Sequence, residues 1–430
     1  MNSARKIAMF FLMGFTIVSF TFAAGGGQSG GVSKTLDLWH VETRAPFPDI
    51  VQASADRFLK NNPDFKVNIT PTGNDTYEQK LAVAMNSGFL PDIFISWSGG
   101  KMNAYVDNGL LTDLTSYMNA NNFKDKFLDA SIAQSSYNGK IWAVPANNVS
   151  VAMMFYNKEI FARYNLQVPN TLRELETICD TLLRNGVTPF SLANKSKWTG
   201  SIYYMYFVTR FGGLDPFADA YSGRGSFTHP AFIYAGNKVQ EWVNKKYFND
   251  GFNGLEEELG QSRQIFYAGD AAMYLMGSWA IAYIKSENPS FEDKLGLFPF
   301  PRDEAGINTA DALIGTIGNN FYHIAASSPN KDKAFELITH LLDDESLPAR
   351  IQNGTIPPLK NVAITDPMMR ELLSKLAIAK SVQLWYDQSL SPECSEVHKT
   401  TLQEMFGLTM TPEVAGQRLQ EAQQRFLSSR

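Results

Sequence analysis

The chain has 430 residues, a formal net charge of −5, 44% hydrophobic and 19% charged residues. That length exceeds one ordinary core and points to two domains, with the balance of a globular rather than a disordered or fibrous protein. No Lys/Arg block or stripe occurs in it, which argues against nucleic acid as a partner.

The N-terminus reads as a targeting segment. Arg5 and Lys6 precede an apolar run over 7–22 that ends in Ala23-Ala24. Thr21-Phe22-Ala23 loosely fits a small-x-small cleavage site, with Ala24 as the alternative end, so a signal peptide over 1–24 and export to a periplasm are expected. The rival is an uncleaved anchor, since the run nearly reaches spanning length. No Cys follows it, which argues against a lipid-anchored form. Residues 25–34 form a Gly/Ser/Gln linker. Its G-Q-S-G-G string matches G-x-S-x-G formally, but the strand and helix of a nucleophile elbow are missing around it.

The fold is expected to begin at Thr35. Residues 35–40 alternate like a strand, 48–61 show helical spacing, 65–71 read as a second strand and 76–85 as a helix stopping at Ser87-Gly88. A short buried strand over 91–95 precedes a helix over 102–108, with Gly109 just past its end. Strands alternating with helices imply βαβ units and mainly parallel sheets, whose ligands sit beyond the strands' carboxyl ends. That rule marks Trp39-His40-Val41-Glu42 and Ser96-Trp97-Ser98-Gly99-Gly100-Lys101.

Asn138-Gly139 is a turn dipeptide between extended runs, with 140–144 and 149–155 rich in β-branched and aromatic residues. Pro145 interrupts them. The insert Ala146-Asn147-Asn148 offers amides that both donate and accept, as hydroxyl-rich ligands require; an ordinary crossover turn is the plainer alternative. Further on, 171–184 is a helix capped by Asn170 or Thr171 with Glu174 in its first turn. Residues 189–192 form a strand, and 202–211, aromatic on every side, a buried helix. A short apolar strand spans 271–276. Helices follow over 332–342 and 419–426. Residues 315–318 resemble a phosphate-binding turn but lack its Gly-Lys-Ser/Thr tail. Cys179 and Cys394 give no framework pattern, and Cys179, within an amphipathic helix, reads as a small buried hydrophobe rather than half of a disulfide.

Six strings carry a resemblance. Residues 139–145 read G-K-I-W-A-V-P and 156–161 read Y-N-K-E-I-F; 91–97 and 108–114 read P-D-I-F-I-S-W and N-G-L-L-T-D-L. Residues 266–279 read F-Y-A-G-D-A-A-M-Y-L-M-G-S-W, and 327–331 read S-S-P-N-K. In this order they resemble the bacterial extracellular solute-binding proteins of the type that includes maltose-binding protein, over nearly the whole mature chain. The resemblance implies an α/β, two-lobed type II periplasmic binding protein fold with hinge crossings and mixed, mainly parallel sheets flanked by helices. The lobes are expected over 35–145 plus 310–342, and over 146–309 plus 343–430. Crossings are expected at the hinge, at 297–301 and at 315–324. It further implies a carbohydrate receptor, without catalytic residue, cofactor or metal, that acts as a monomer with the permease subunits of an ATP-driven importer.

The same resemblance assigns the aromatic contacts to Trp97, Trp198 and Trp279, a basic contact to Lys101 and an acidic one to Asp387. The acidic residue that precedes the basic one in relatives is Gly100 here, so hydroxyl contacts must differ. Trp385, beside Asp387, adds a fourth ring. A sugar has an apolar C–H face for rings to cover and a hydroxyl rim for Asp, Glu, Asn, Lys and His. His40, Glu42, Ser98, Asn147, Asn148, Gly315 and Asn319 complete the expected rim. Four stacking candidates suit a di- or oligosaccharide. The alternatives are an exported carbohydrate-active enzyme, with Glu42, Asp92 or Asp387 as paired carboxylates, and a receptor for a glycerol-phosphate-type solute met by Lys101 or Arg44. Five scattered His with no H-E-x-x-H give no metal motif.

Overall fold

The computed structural model describes residues 33–145, 147–307 and 311–429. The expected signal peptide, most of the linker and Ala146 lie outside these residues. In chain order the strands are β1 (Thr35–His40), β2 (Lys66–Pro71), β3 (Ile93–Ser96), β4 (Ser136–Tyr137), β5 (Lys140–Ile141) and β6 (Val149–Asn157). They continue with β7 (Thr188–Phe190), β8 (Ala271–Gly277), β9 (Leu295–Phe298), β10 (Ala312–Ile317), β11 (Phe321–Ile324) and β12 (Ser381–Gln383).

Two sheets organise two cores. The first runs β11-β3-β1-β2, with β1 parallel to both β2 and β3 and β11 antiparallel to β3. Leu36, Leu38 and His40 turn to one face of β1, as period two requires, while all four residues of the central β3 are buried. Its core draws on 36–144 and 321–341. The second sheet runs β12-β10-β6-β8-β7, with β9 also paired to β6. Here β6 is antiparallel to β8, β9 and β10, so this sheet is mixed rather than mainly parallel. Its core draws on 149–317 and 356–422. At its centre the helix Trp198–Gly212 buries Tyr203 against Trp242 and Phe190, the latter two stacked at 5.0 Å. Arg210 is fully buried there, and its guanidinium donates to the carbonyls of Phe300, Pro301 and Ala312. Cys179 and Cys394 are separate buried thiols.

Asn138 and Gly139, both at positive φ, turn β4 into β5 as the dipeptide predicts. The extended run expected over 140–144 is only partly a strand: Val144 exchanges backbone hydrogen bonds with Tyr322 of β11 instead. The chain then passes to β6, in the second sheet.

Residues 297–301 do not return the chain, because β9 pairs with β6 inside the second sheet. The expected border at 309 and 310 lies outside the described residues; after it, β10 is held by β6 and β12, and the chain changes sheets over 318–320. Beyond the border expected at 343, Arg57 pairs with Asp343, Ser54 meets Ser346, and the Leu128 and Lys360 amides bond Pro358 and Lys126, so 343–360 keeps contact with the first lobe.

Candidate functional site

Between the two cores lies a cavity of about 180 Å³. The first lobe contributes the turn after β1 (Glu42 to Arg44), the end of β3 (Trp97) and the first turns of the helix Asn74–Ser87 (Asn74, Asp75 and Glu78). The crossings contribute Asn147, Asn148, Asn319 and Asn320. The second lobe supplies an aromatic wall. Trp198 opens the helix Trp198–Gly212, Trp279 precedes the helix Ala280–Glu287, and Trp385 precedes the single turn Tyr386–Ser389. Trp198 and Trp279 meet edge to face at 5.9 Å, and Trp279 and Trp385 are tilted at 5.8 Å. Gly277 makes this possible: a Cβ there would overlap the folded-back Trp279 ring. Trp97 is packed edge to face on Tyr77 at 6.2 Å.

The carboxylates of the cavity are held in different ways. Arg350 grips Glu42 bidentately at 2.6 and 2.9 Å. Burial alone would raise the Glu42 carboxyl, but the Arg350 charge and hydrogen bonds keep it below its ordinary value. Glu78 accepts from Lys101 at 2.9 Å and from Lys399 of the second lobe at 3.1 Å; against burial, these two ammonium groups bring it down to about 2. Glu257 is held by Arg263 and by the Tyr274 hydroxyl at 2.6 Å. Asp75 accepts from the Trp198 indole at 3.3 Å and from Ser196, while its own amide donates to Glu258 at 3.1 Å. Arg44 is ion-paired with Glu287, donates to the Glu258 carbonyl at 2.8 Å and lies 4.2 Å over the Tyr283 ring. Burial pushes the Asp387 carboxyl up, only partly opposed by Lys101 and Lys399.

Of the thirteen residues expected from sequence, Glu42, Trp97, Asn147, Asn148, Trp198, Trp279, Asn319, Trp385 and Asp387 line this one cavity. Four stand off it. His40 is buried behind Glu42, whose amide donates to its Nδ1 at 3.2 Å. Ser98 is buried outside the wall. Lys101 turns to Glu78, with its ammonium 4.7 Å from the Trp97 ring centre. Gly315 lies in β10, where a Cβ would strike the Ser150 carbonyl oxygen, so it is a packing glycine of the sheet. Asp92 is not on the wall either; it accepts from the Asp37 amide at 3.0 Å and from Ser328 at 2.5 Å. Sequence reasoning passed over Asp75, Glu78, Glu257, Glu258, Tyr283 and Gln388. The first two follow β2, so the strand-end rule applied to that strand finds them; the others sit in or beside turns that carry no local signal.

The model of the family described as bacterial extracellular solute-binding protein matches residues 44–347. The chain belongs to this family. Among similar proteins, an uncharacterized ABC transporter extracellular-binding protein of Pyrococcus horikoshii is 25% identical over 88% of this chain and 86% of its own. A multiple sugar-binding protein of Streptococcus mutans is 22% identical over 90% and 91%. A structure from a study of xylan utilization by the thermophilic bacterium Caldanaerobius polysaccharolyticus superposes with a TM-score of 0.84. It is 30% identical and covers 90% of this chain and 99% of its own. Like those binding proteins, this solute-binding protein has two lobes around one cleft. Among the described residues no helix is long and apolar enough to cross a membrane.

Proposed function

We propose that this protein captures a carbohydrate of one to a few rings between its lobes and delivers it to the permease of an ABC importer. The observation that carries the reading is the contiguous wall of Trp198, Trp279 and Trp385, with carboxylates and amides set around it. Rings cover the apolar face of a sugar, and directional polar groups take its hydroxyls. The sugar-binding name of the Streptococcus mutans relative and the xylan study that supplied the similar structure support the same class. We further propose that residues 1–24 direct export to the periplasm and that the protein acts there as a monomer.

The Asp387 carboxyl, pushed up by burial, is the one observation that favours a hydrolase. Against that reading, Glu42, Glu78 and Glu257 are each tied to a cation and serve as fixed acceptors. Titration of intrinsic tryptophan fluorescence with mono-, di- and oligosaccharides tests the proposal. A saturable change, weakened in Trp279→Ala, supports capture. A flat response to every sugar overturns it, and new reducing ends in chromatograms of the incubated sugar would establish the hydrolase instead.

A further inference from the structure

Six carboxylates line the cavity: Glu42, Asp75, Glu78, Glu257, Glu258 and Asp387. Among the described lining residues Arg44 is the only cation, and it is engaged by Glu287, the Glu258 carbonyl and the Tyr283 ring. Arg350, Lys101, Lys399 and Arg263 stand behind the wall and neutralise Glu42, Glu78 and Glu257. No ion-pair contact reaches Asp75, Glu258 or Asp387 among the described residues. Asp75 is held by neutral donors. The open face of the site therefore carries negative charge, in a partly desolvated space where like charges repel more strongly than in water.

A second observation agrees with the first. Trp385 Nε1, Gln388 Oε1 and Asn319 Oδ1, on residues that line the cavity, are buried polar atoms with no hydrogen-bond partner among the described residues. Trp385 and Gln388 are 95% and 93% buried by their 5% and 7% relative exposure. The indole needs an acceptor. A side-chain amide carries both an acceptor and two donors, so its unpaired end takes the complementary group. A sugar hydroxyl is both donor and acceptor. An ionised carboxylate, phosphate or sulfate can accept from the indole but cannot donate, and it meets repulsion from Asp75 and Glu258.

Resting on the carbohydrate reading above, we infer that the cleft selects uncharged saccharides and rejects acidic ones of the same size. Uronate-bearing and phosphorylated sugars are excluded by the carboxylates of Asp75 and Glu258, which no ion pair neutralises.

Calorimetry of the purified protein with matched pairs tests this. The pairs are xylotriose and its glucuronic acid-substituted form, galactobiose and digalacturonic acid, and trehalose and trehalose 6-phosphate. In any pair whose neutral member binds, the acidic member is expected to bind roughly thirtyfold more weakly or worse. An acidic member that binds within threefold of its neutral partner, or more tightly, overturns the inference and leaves the carbohydrate reading standing. Absence of binding by every member overturns the carbohydrate reading, and the inference falls with it. In Glu258→Gln and Asp75→Asn the ratio of the two constants should shrink severalfold, because each removes one repelling charge. A merely structural role would weaken both members alike; a ratio unmoved in both variants overturns the assignment of selectivity to these carboxylates.

Discussion

Replacing Arg350 while Glu42 remains strands a carboxylate in a site that is almost dry. Arg350→Met is therefore expected to lower stability by about 3–5 kcal/mol in urea unfolding, and Glu42→Gln added to it should restore part of that loss. Trp279 is the middle ring of the aromatic wall, touching both Trp198 and Trp385. Its removal should weaken a bound sugar by about tenfold or more, from the lost stacking and the loosened neighbours, as calorimetry would show. Trp97, Trp198 and Trp279 were legible through the motifs that carry the resemblance and Trp385 through its place beside Asp387; each follows a strand or opens a helix. Lys101 was misplaced for a reason of distance: its carboxylate partner is 23 positions earlier in the chain. The Glu42 partner is 308 positions away, and nothing near either residue announces the pair.

At the scale of the element, the helix Leu172–Arg184 was readable almost to the residue. Thr171 accepts from the Glu174 amide and the Glu174 carboxylate accepts in turn from the Thr171 amide, a reciprocal cap written within four consecutive positions. Thr171→Ala is expected to cost about 1 kcal/mol in denaturant unfolding without changing ligand affinity. The strand β10 is the opposite case. Its Gly-rich apolar run resembles a crossing in isolation, and only the approach of β6 turns Gly315 into a sheet residue. Local chemistry fixes caps and turns, whereas which strand lies alongside is decided by the rest of the chain.

Across the whole molecule, some contacts belong to no single lobe. Glu78 of the first lobe is held at about 2 by Lys101 and by Lys399 of the second. A carboxyl depressed in the folded protein adds stability that is fully present above its ordinary value of 4.5 and is lost as pH falls from there toward 2. Stability in urea unfolding should decline over that interval. Burial also holds His323 at about 4 and His398 at about 3, and their protonation acts in the same direction. Glu78→Gln separates the effects by removing the carboxylate's share of the pH dependence. Backbone approach matters as well. A Cβ on Gly100 would press on the carbonyl oxygens of Ser389 and Leu390, across the lobes. Gly100→Ala is expected to favour the open form, seen as a larger radius of gyration in X-ray scattering with saturating sugar.

The aromatic wall lies wholly on the second lobe, while the first lobe brings Trp97 and its carboxylates. Half of the site is thus assembled before the lobes meet. If a sugar lands first on that half, encounter belongs to one lobe and retention to the other. In stopped-flow records, changes in the second lobe's rings should alter both the forward and the reverse rate constant. Changes at Trp97 or Glu78 should leave capture nearly as fast and shorten the time the sugar stays. The division gives an importer a way to set how readily it releases cargo without giving up how quickly it finds it.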